Sequence, residues 1–296
     1  MINQATRMCE RAQRSKTHPG YSSFFVSDLL GHLYSIKGSL ECVANFPGHG
    51  LKWKQKCRAI HAQIMRPDHS EDKRWLDVAD MNIVVSLMAE DRFEEALTLS
   101  DYLLEQKESL AHRGTQLANK CICLILHRRY DEGHLYCTQA MEVTKHSSGP
   151  ESAEAAILHY YRGLLHYQQH NLEDALSVLA ECLRVRHALM PDHHFTGYVA
   201  YKLGVVTREL GDLESSICFT RESFRIANTC LFPDPGQRCR AAFALVRLLN
   251  EAGEYDWANS MRNEALELRE KLFETTSMRP GEDPNDYDQF ISFSHR

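Results

Sequence analysis

A short pattern that recurs at intervals of about forty residues constrains the fold of this chain more than any other feature. In each copy a polar turn is followed by an aromatic residue or leucine, and a small residue stands three positions later. Helical patterns of apolar residues precede and follow every turn. The clearest copies, separated by 37, 42, 41 and 42 residues, begin at Phe93, Tyr130, Leu172, Leu213 and Tyr255. One such helix pair cannot bury its apolar side alone, so we expect a stack of helix-turn-helix repeats.

Glycine and proline breakers divide the chain into about six such units. A weaker first copy has its landmark at Phe46, and we interpret Gly48-His49-Gly50 beside it as a turn. The predicted helix pairs are 27–40 with 51–64, 75–89 with 93–108, 111–127 with 130–146, 152–169 with 172–189, 196–230 with its break at Gly211-Asp212, and 237–252 with 255–273. An array of this kind grows in one dimension and needs no boundary between globular domains.

These repeats resemble tetratricopeptide repeats over about residues 27–273. The resemblance is carried best by Leu203-Gly204 with Gly211-Asp212-Leu213, and by Tyr255-Asp256-Trp257-Ala258. It implies an all-α fold, a right-handed superhelical solenoid of about six repeats. The long repeats, and the ending Asp286 to Arg296, are also similar to fungal tetratricopeptide proteins of the kinesin-light-chain type, whose functions are mostly unassigned. The chain departs from the family pattern where Lys120-Cys121 replaces Leu-Gly and where the Trp that opens a repeat is absent.

We predict that the solenoid spans residues 1–273 and that a polar link and a C-terminal capping helix follow at 274–296. The capping helix, predicted at 286–293, offers apolar side chains to cover the last repeat. A helix at 3–14 resembles the second half of a repeat. Either the chain opens with a half-repeat cap or the natural protein extends further upstream. The uncovered face of this helix also suggests a homo-oligomer.

Charge and composition exclude several classes of partner. The net charge is −6, whereas a surface for nucleic acid or an anionic membrane needs clustered Lys and Arg. Apolar runs are too short to cross a bilayer, and the N-terminus lacks the apolar core of a secretory signal. The ten cysteines show no framework spacing, so we expect buried thiols in a reducing compartment, the cytoplasm.

The first helices of successive repeats line the concave groove of such a solenoid, and their inward positions are the candidate binding residues. In peptide-binding relatives, an Asn at the places of Asn82 and Asn119 pairs with the peptide backbone. An aromatic cluster and a basic end follow along the groove, and the last repeat also turns Arg240 and Phe243 inward. The candidate residues are Asn82, Asn119, Tyr160, Tyr161, Tyr167, Tyr201, Lys202, Arg208 and Arg247. They suit an acidic or carboxylate-ended peptide. Alternatively, the Asn side chains bond neighbouring helix backbones and the Arg side chains make surface ion pairs.

Motifs that carry chemistry are absent from the sequence. His166 and His170 stand one helical turn apart, with His159 nearby, but the Glu of a zinc hydrolase and a third ligand are missing. Cys121 and Cys123 point to different sides of a helix, which does not suit a redox pair. We therefore predict no catalytic residue, no metal and no cofactor.

The leading hypothesis is a non-catalytic scaffold that binds a peptide segment or partner protein in its concave groove. The alternative is a small-molecule-binding or unusual enzymatic repeat protein with a pocket lined by tyrosine and histidine. A pocket enclosed by the fourth and fifth units would favour the alternative. An open channel along the repeats would favour the scaffold.

Overall fold

The computed structural model describes residues 2–15, 23–43, 47–66, 70–106, 110–231, 234–274 and 276–291. Within these ranges the chain is all helix and turn, without a β-strand. The α-helices are α1 Ile2–Ser15, α2 Ser23–Val43, α3 Pro47–Ile64, α4 Ser70–Ala89, α5 Phe93–Glu105, α6 Leu110–Leu126, α7 Tyr130–Ser147, α8 Ala153–Gln168, α9 Leu172–Leu189, α10 His194–Glu209, α11 Leu213–Thr229, α12 Pro235–Glu251 and α13 Tyr255–Phe273. A 3-10 helix follows at Pro284–Phe290.

The chain divides into two compact units, unit 1 at residues 1–109 and unit 2 at residues 110–296. In unit 1, α1 packs on α2, α2 pairs with α3, and α4 pairs with α5. In unit 2, the pairs are α6 with α7, α8 with α9, α10 with α11 and α12 with α13, and each pair packs on the next. The predicted all-α repeat fold is confirmed.

The turns inside the repeats share one backbone geometry. In the fifth repeat, the N–H of Gly211 donates to the carbonyl of Arg208 at 3.0 Å, and the N–H of Asp212 donates to the carbonyl of Thr207 at 2.9 Å. This pair of bonds is a Schellman motif, which closes a helix on a residue with positive φ. The same bonds occur where φ is positive at Asp91, Arg128, His170, Gly211 and Gly253. These positions repeat at the intervals of the sequence pattern, because the landmark residue always lies two positions further on.

Small residues let the two helices of the fifth repeat approach closely. A Cβ atom on Gly204 would lie 2.4 Å from the Oγ1 atom of Thr220. The Ser216 hydroxyl donates to the carbonyl of Gly204 at 2.7 Å. Asp212 caps the second helix, since its side chain accepts the N–H of Ser215 at 3.0 Å. Residues of the landmark pattern therefore hold this helix pair together.

Two sequence predictions differ from the structure. Gly48-His49-Gly50 lies inside α3 and is not a turn, because proline at position 47 opens the helix four residues before the predicted start. Phe46, the landmark of the first copy, lies outside the described residues. At the C-terminus the described part of the predicted helix is a 3-10 helix, Pro284–Phe290, and residues 292–296 lie outside the described ranges.

Most thiols of the described residues are buried. The cysteines that the structure describes are free, with Cys218 exposed and Cys9 half-buried. Burial raises the pKa of the Cys57 thiol to about 11 and that of the Cys182 thiol to about 12. These two side chains are therefore protonated, unreactive core residues near neutral pH. Among the described helices, none offers a stretch both long enough and apolar enough to cross a lipid bilayer.

Candidate functional site

The first helices α8, α10 and α12 border a cleft of about 230 Å³ in unit 2. We call this the cleft. Besides these three helices, Ser216 and Thr220 of α11 line it, as do Pro284 and Asn285. Four of the predicted candidates line it: Tyr167, Tyr201, Arg208 and Arg247. The remaining lining residues of α10 and α12 are Gly204, Val205, Glu209, Ala244 and Leu248.

Tyr167 joins α8 to α10 at the rim of the cleft. Its hydroxyl donates to the Oε1 atom of Glu209 at 2.6 Å. Burial, and then the hydrogen bond to the Glu209 carboxylate, raise the pKa of Tyr167 above its ordinary value. The phenol therefore remains a hydrogen-bond donor at neutral pH, and its ring lies 5.1 Å from the Nζ atom of Lys202.

Lys202 is the buried cation beneath this rim, with 8% of its surface exposed. Burial, and then the nearby positive charge of Arg240, lower the pKa of Lys202 to about 8, against the opposing effect of Asp288 and Glu209. At neutral pH the amine of Lys202 is protonated, although its surroundings lower its affinity for the proton. Lys202 does not line the cleft directly; it adds positive charge behind it.

Arg208 and Arg247 have different surroundings. The Nε atom of Arg208 lies 2.9 Å from the Oε2 atom of Glu251, so this arginine joins α10 to α12 through an ion pair. Arg247 is exposed, and within the described part of the chain it makes no ion pair. The ion-pair alternative therefore applies to Arg208, whereas the charge of Arg247 is available to a ligand.

Arg240 is a buried residue of the same face that was not among the candidates. Its guanidinium donates to the Gln237 side-chain oxygen at 2.6 and 3.0 Å, and lies 2.9 Å from the Oδ1 atom of Asp288. It also lies over the Tyr201 ring, 4.2 Å from the ring centroid. The sequence placed Arg240 on the inward side of its helix. Its contact with Asp288, 48 residues further along, had no local signal.

Tyr160 and Tyr161 do not line the cleft. Tyr160 is fully buried, and its ring packs edge-on against Phe195, with centroids 5.3 Å apart. Tyr161 is half-buried beside it, and burial raises the pKa of both phenols. In the structure Tyr160 is a core residue that joins α8 to α10, so of the predicted aromatic cluster only Tyr167 and Tyr201 face the cleft.

The two predicted asparagines lie in different units. Asn82 belongs to unit 1, is half-buried on α4, and donates to the carbonyl of Val78 at 2.9 Å in its own helix. This bond lies within α4 and is not the bond to a neighbouring helix that the structural alternative predicts. Asn119 is half-buried on α6 of unit 2 and is not part of the cleft.

The histidines of α8 do not assemble a metal site. His166 packs against His134 at 5.4 Å between ring centroids, and its Nδ1 atom lies 3.9 Å from Asp174. Burial lowers the pKa of His166 and of His159. His170 is exposed and forms the turn after α8. Within the described ranges, no group of three or more His, Cys, Asp and Glu residues has the geometry to hold a metal ion.

Residues 154–229, which cover nearly all of α8 to α11, match the family model of the tetratricopeptide repeat. No curated protein matches the chain significantly in sequence. The structure of BtubC (BKLC) from P. vanneervenii is similar with a TM-score of 0.65 at 15% identity, over 78% of this chain and 92% of that chain.

Two Rap proteins are similar in fold as well. The Rap conjugation gene regulator of the plasmid pLS20, in complex with the Phr* peptide, gives a TM-score of 0.63 at 14% identity, over 85% of this chain and 77% of that chain. A Rap protein complexed with competence and sporulation factor gives 0.55 at 14% identity, over 90% and 76%. Residues 154–229 therefore match the tetratricopeptide repeat, and these structures share the helix-repeat fold of the chain.

Proposed function

We propose that this chain is a non-catalytic scaffold and that it binds a peptide segment or partner protein along the cleft of unit 2. The observation that carries the proposal is Arg247, an exposed cation in a cleft that also presents the aromatic side chains of Tyr167 and Tyr201. Such a lining supplies buried contact area, and a few polar groups fix the orientation of a ligand. A scaffold of this kind needs no catalytic residue.

The charges around the cleft favour an acidic partner. Arg247 has no carboxylate partner among the described residues, and Lys202 adds a buried positive charge nearby. Arg208 can exchange Glu251 for a carboxylate of the ligand. A carboxylate at the C-terminus or in an Asp or Glu side chain would accept bidentate hydrogen bonds from Arg247.

The size of the cleft favours a peptide side chain over a whole small molecule. Small-molecule sites usually measure about 300–1,000 Å³, whereas the cleft measures about 230 Å³. It receives residues from the fourth, fifth and sixth repeats and so runs along the array. This arrangement supports the scaffold over the small-molecule alternative. The two Rap proteins, one in complex with the Phr* peptide and one with competence and sporulation factor, add support from proteins of the same fold.

Affinity purification from the native host, followed by mass spectrometry, tests the proposal. The full chain is compared with Arg247→Ala and with Arg184→Ala, an exposed arginine on α9 that makes its own ion pairs. We expect Arg247→Ala to lose most of the acidic partner at unchanged thermal stability, while Arg184→Ala keeps it. Equal recovery on all three proteins would contradict the proposed site.

A further inference from the structure

We propose that the C-terminal segment 280–291 is an intramolecular ligand of the last repeat, and that it reveals what the partner must present: an aromatic side chain followed directly by a carboxylate. The inference rests on the proposed function and names its ligand chemistry. In this chain the two residues are Tyr287 and Asp288. Both contact side chains of α12, the first helix of the sixth repeat.

Tyr287 is the apolar anchor of the segment. Its side chain is fully buried, and its ring stacks on Phe243 with centroids 5.4 Å apart. The hydroxyl donates to the carbonyl of Gly281 at 2.9 Å, which satisfies it inside the segment itself. A buried aromatic ring whose polar end already has a partner is the usual anchor of a peptide in a protein groove.

The carboxylate of Asp288 meets a guanidinium that the repeats hold in place. Arg240 donates two bonds to Gln237, and Gln237 donates to the Ser223 hydroxyl at 2.8 Å. Only 2% of the Arg240 side chain is exposed. Because Gln237 and the Tyr201 ring hold this cation in the repeat and the segment supplies the carboxylate, the site is built for a carboxylate. Leaving a buried guanidinium without an anion is costly, so the site strongly selects for a negative charge.

The segment also reaches the backbone of α12. A Cβ atom on Gly236 would lie 2.5 Å from the Cβ atom of Phe290, so this contact requires glycine. Beyond it, Ile291 is buried. Tyr287, Asp288 and Phe290 thus meet three places along one helix, which gives the segment a defined register.

The bound segment adjoins the cleft of the proposed function. Pro284 and Asn285 line the cleft, as do Arg247 and Leu248. A partner peptide that extended from the cleft to Arg240 would have to displace the segment. The segment is itself acidic, with carboxylates at Glu282, Asp283, Asp286 and Asp288. Its composition agrees with the acidic partner inferred for the cleft.

A labelled synthetic peptide of residues 279–291 tests whether the site accepts this chemistry from outside. Its binding is measured by fluorescence anisotropy on the full chain and on the full chain carrying Asp288→Asn, which weakens the resident segment. We expect the variant to bind the peptide at least tenfold more tightly than the unchanged chain. A peptide with Asp288→Asn should bind at least tenfold more weakly than the unaltered one.

Glu264→Gln is the matched control, since Glu264 is an exposed carboxylate of α13 outside the segment. It should leave peptide binding at the level of the unchanged chain. Phe290→Ala provides a second weakened segment if Asp288→Asn does not fold, as judged by thermal melting. Peptide binding that stays equally weak on folded Asp288→Asn or Phe290→Ala overturns the inference and leaves the segment a fixed cap.

The two proposals fail separately. Peptide exchange at Arg240 without a partner that depends on Arg247 would support the recognition chemistry and contradict the proposed partner site. The opposite result is a partner whose binding depends on Arg247, together with no binding of the added peptide. It would support the partner site and overturn this inference.

Discussion

Lys202 and Arg240 are two buried cations of unit 2 whose surroundings affect stability differently. Arg240 lies 2.9 Å from the Oδ1 atom of Asp288, whereas burial lowers the pKa of Lys202. Arg240 also rests on the Tyr201 ring, where the face of the π-system favours a positive charge. Removal of the charge should therefore change stability in opposite directions at the two positions.

Arg240→Ala should lower the free energy of unfolding by about 3 kcal/mol, because it leaves Asp288 and Gln237 without their partner in a largely buried site. Asp288 is 37% exposed, which limits the loss. Arg262→Ala, which breaks the exposed pair with Glu282, should cost clearly less, because water screens an exposed ion pair. Urea unfolding of the three proteins measures both values. Equal losses of unfolding free energy in the two variants would show that burial of Arg240 does not strengthen its ion pair with Asp288.

Lys202 should make stability depend on pH in the alkaline range. Its pKa is lowered to about 8 in the folded chain from an ordinary 10.5, so the unfolded chain binds the proton more tightly. The cost of charging the buried amine is therefore fully present below pH 8 and is relieved as the pH rises from 8 towards 10. Lys202→Met removes this cost.

The thermal midpoints of the unchanged chain and of Lys202→Met, measured from pH 7 to pH 10, test that direction. The variant should be more stable at pH 7, and its advantage should shrink as the pH rises. An advantage that is constant across the range would mean that Lys202 has the same pKa in both states.

At the scale of the helix pair, the Schellman turn is the repeating element. Its left-handed residue is glycine at positions 211 and 253 but Asp91, Arg128 and His170 elsewhere. A left-handed conformation costs a residue with a Cβ atom about 1–2 kcal/mol. His170→Gly should therefore raise the free energy of unfolding by about 1 kcal/mol, and Gly211→Ala should lower it by about the same amount.

Denaturant unfolding measures both changes. A Cβ atom on Gly211 would have no other atom within 4 Å, so Gly211→Ala introduces no steric clash. His170 is likewise exposed. A lower free energy of unfolding for His170→Gly would contradict this prediction. It would mean that the added conformational entropy of the unfolded chain outweighs the backbone strain removed at the turn.

The sequence predicts these elements well where the repeat controls them. Spacing placed the turn at His170, although histidine is a weaker local signal for a left-handed residue than glycine. The helix boundaries of the fourth and sixth repeats agree with the structure to within about two residues. Local patterns fail where a contact between distant residues decides the outcome: the segment at Pro284 forms a 3-10 helix, with Tyr287 packed on Phe243.

The candidate site was less predictable than the fold. The inward register identified Tyr167, Tyr201, Arg208 and Arg247, since helical spacing alone sets which side chains share a face. Tyr160, two helical turns before Tyr167, instead packs in the core against Phe195. Asp288 was beyond prediction, because nothing local indicates which helix a terminal segment contacts.

At the scale of the whole molecule, repeats bury their apolar faces against sequence neighbours, so each compact unit carries its own core. Residues 110–296 should fold without unit 1, because they form a compact unit and the core cluster that includes Tyr287 is built from α10–α13. A protein of residues 110–296 should give a helical circular dichroism spectrum and a cooperative thermal transition. A non-cooperative transition would mean that unit 2 depends on residues outside it.

Site-specific photo-crosslinking tests the central claim, that the cleft of unit 2 binds a protein or peptide, most directly. A photoreactive amino acid is placed at Ala244, which lines the cleft, and in a second protein at Glu214, which is exposed on α11 and lies outside it. In native extract, position 244 should capture a protein or peptide that position 214 does not, and Arg247→Ala should reduce the yield. Equal capture at both positions, or capture at 244 that ignores Arg247, would contradict the account.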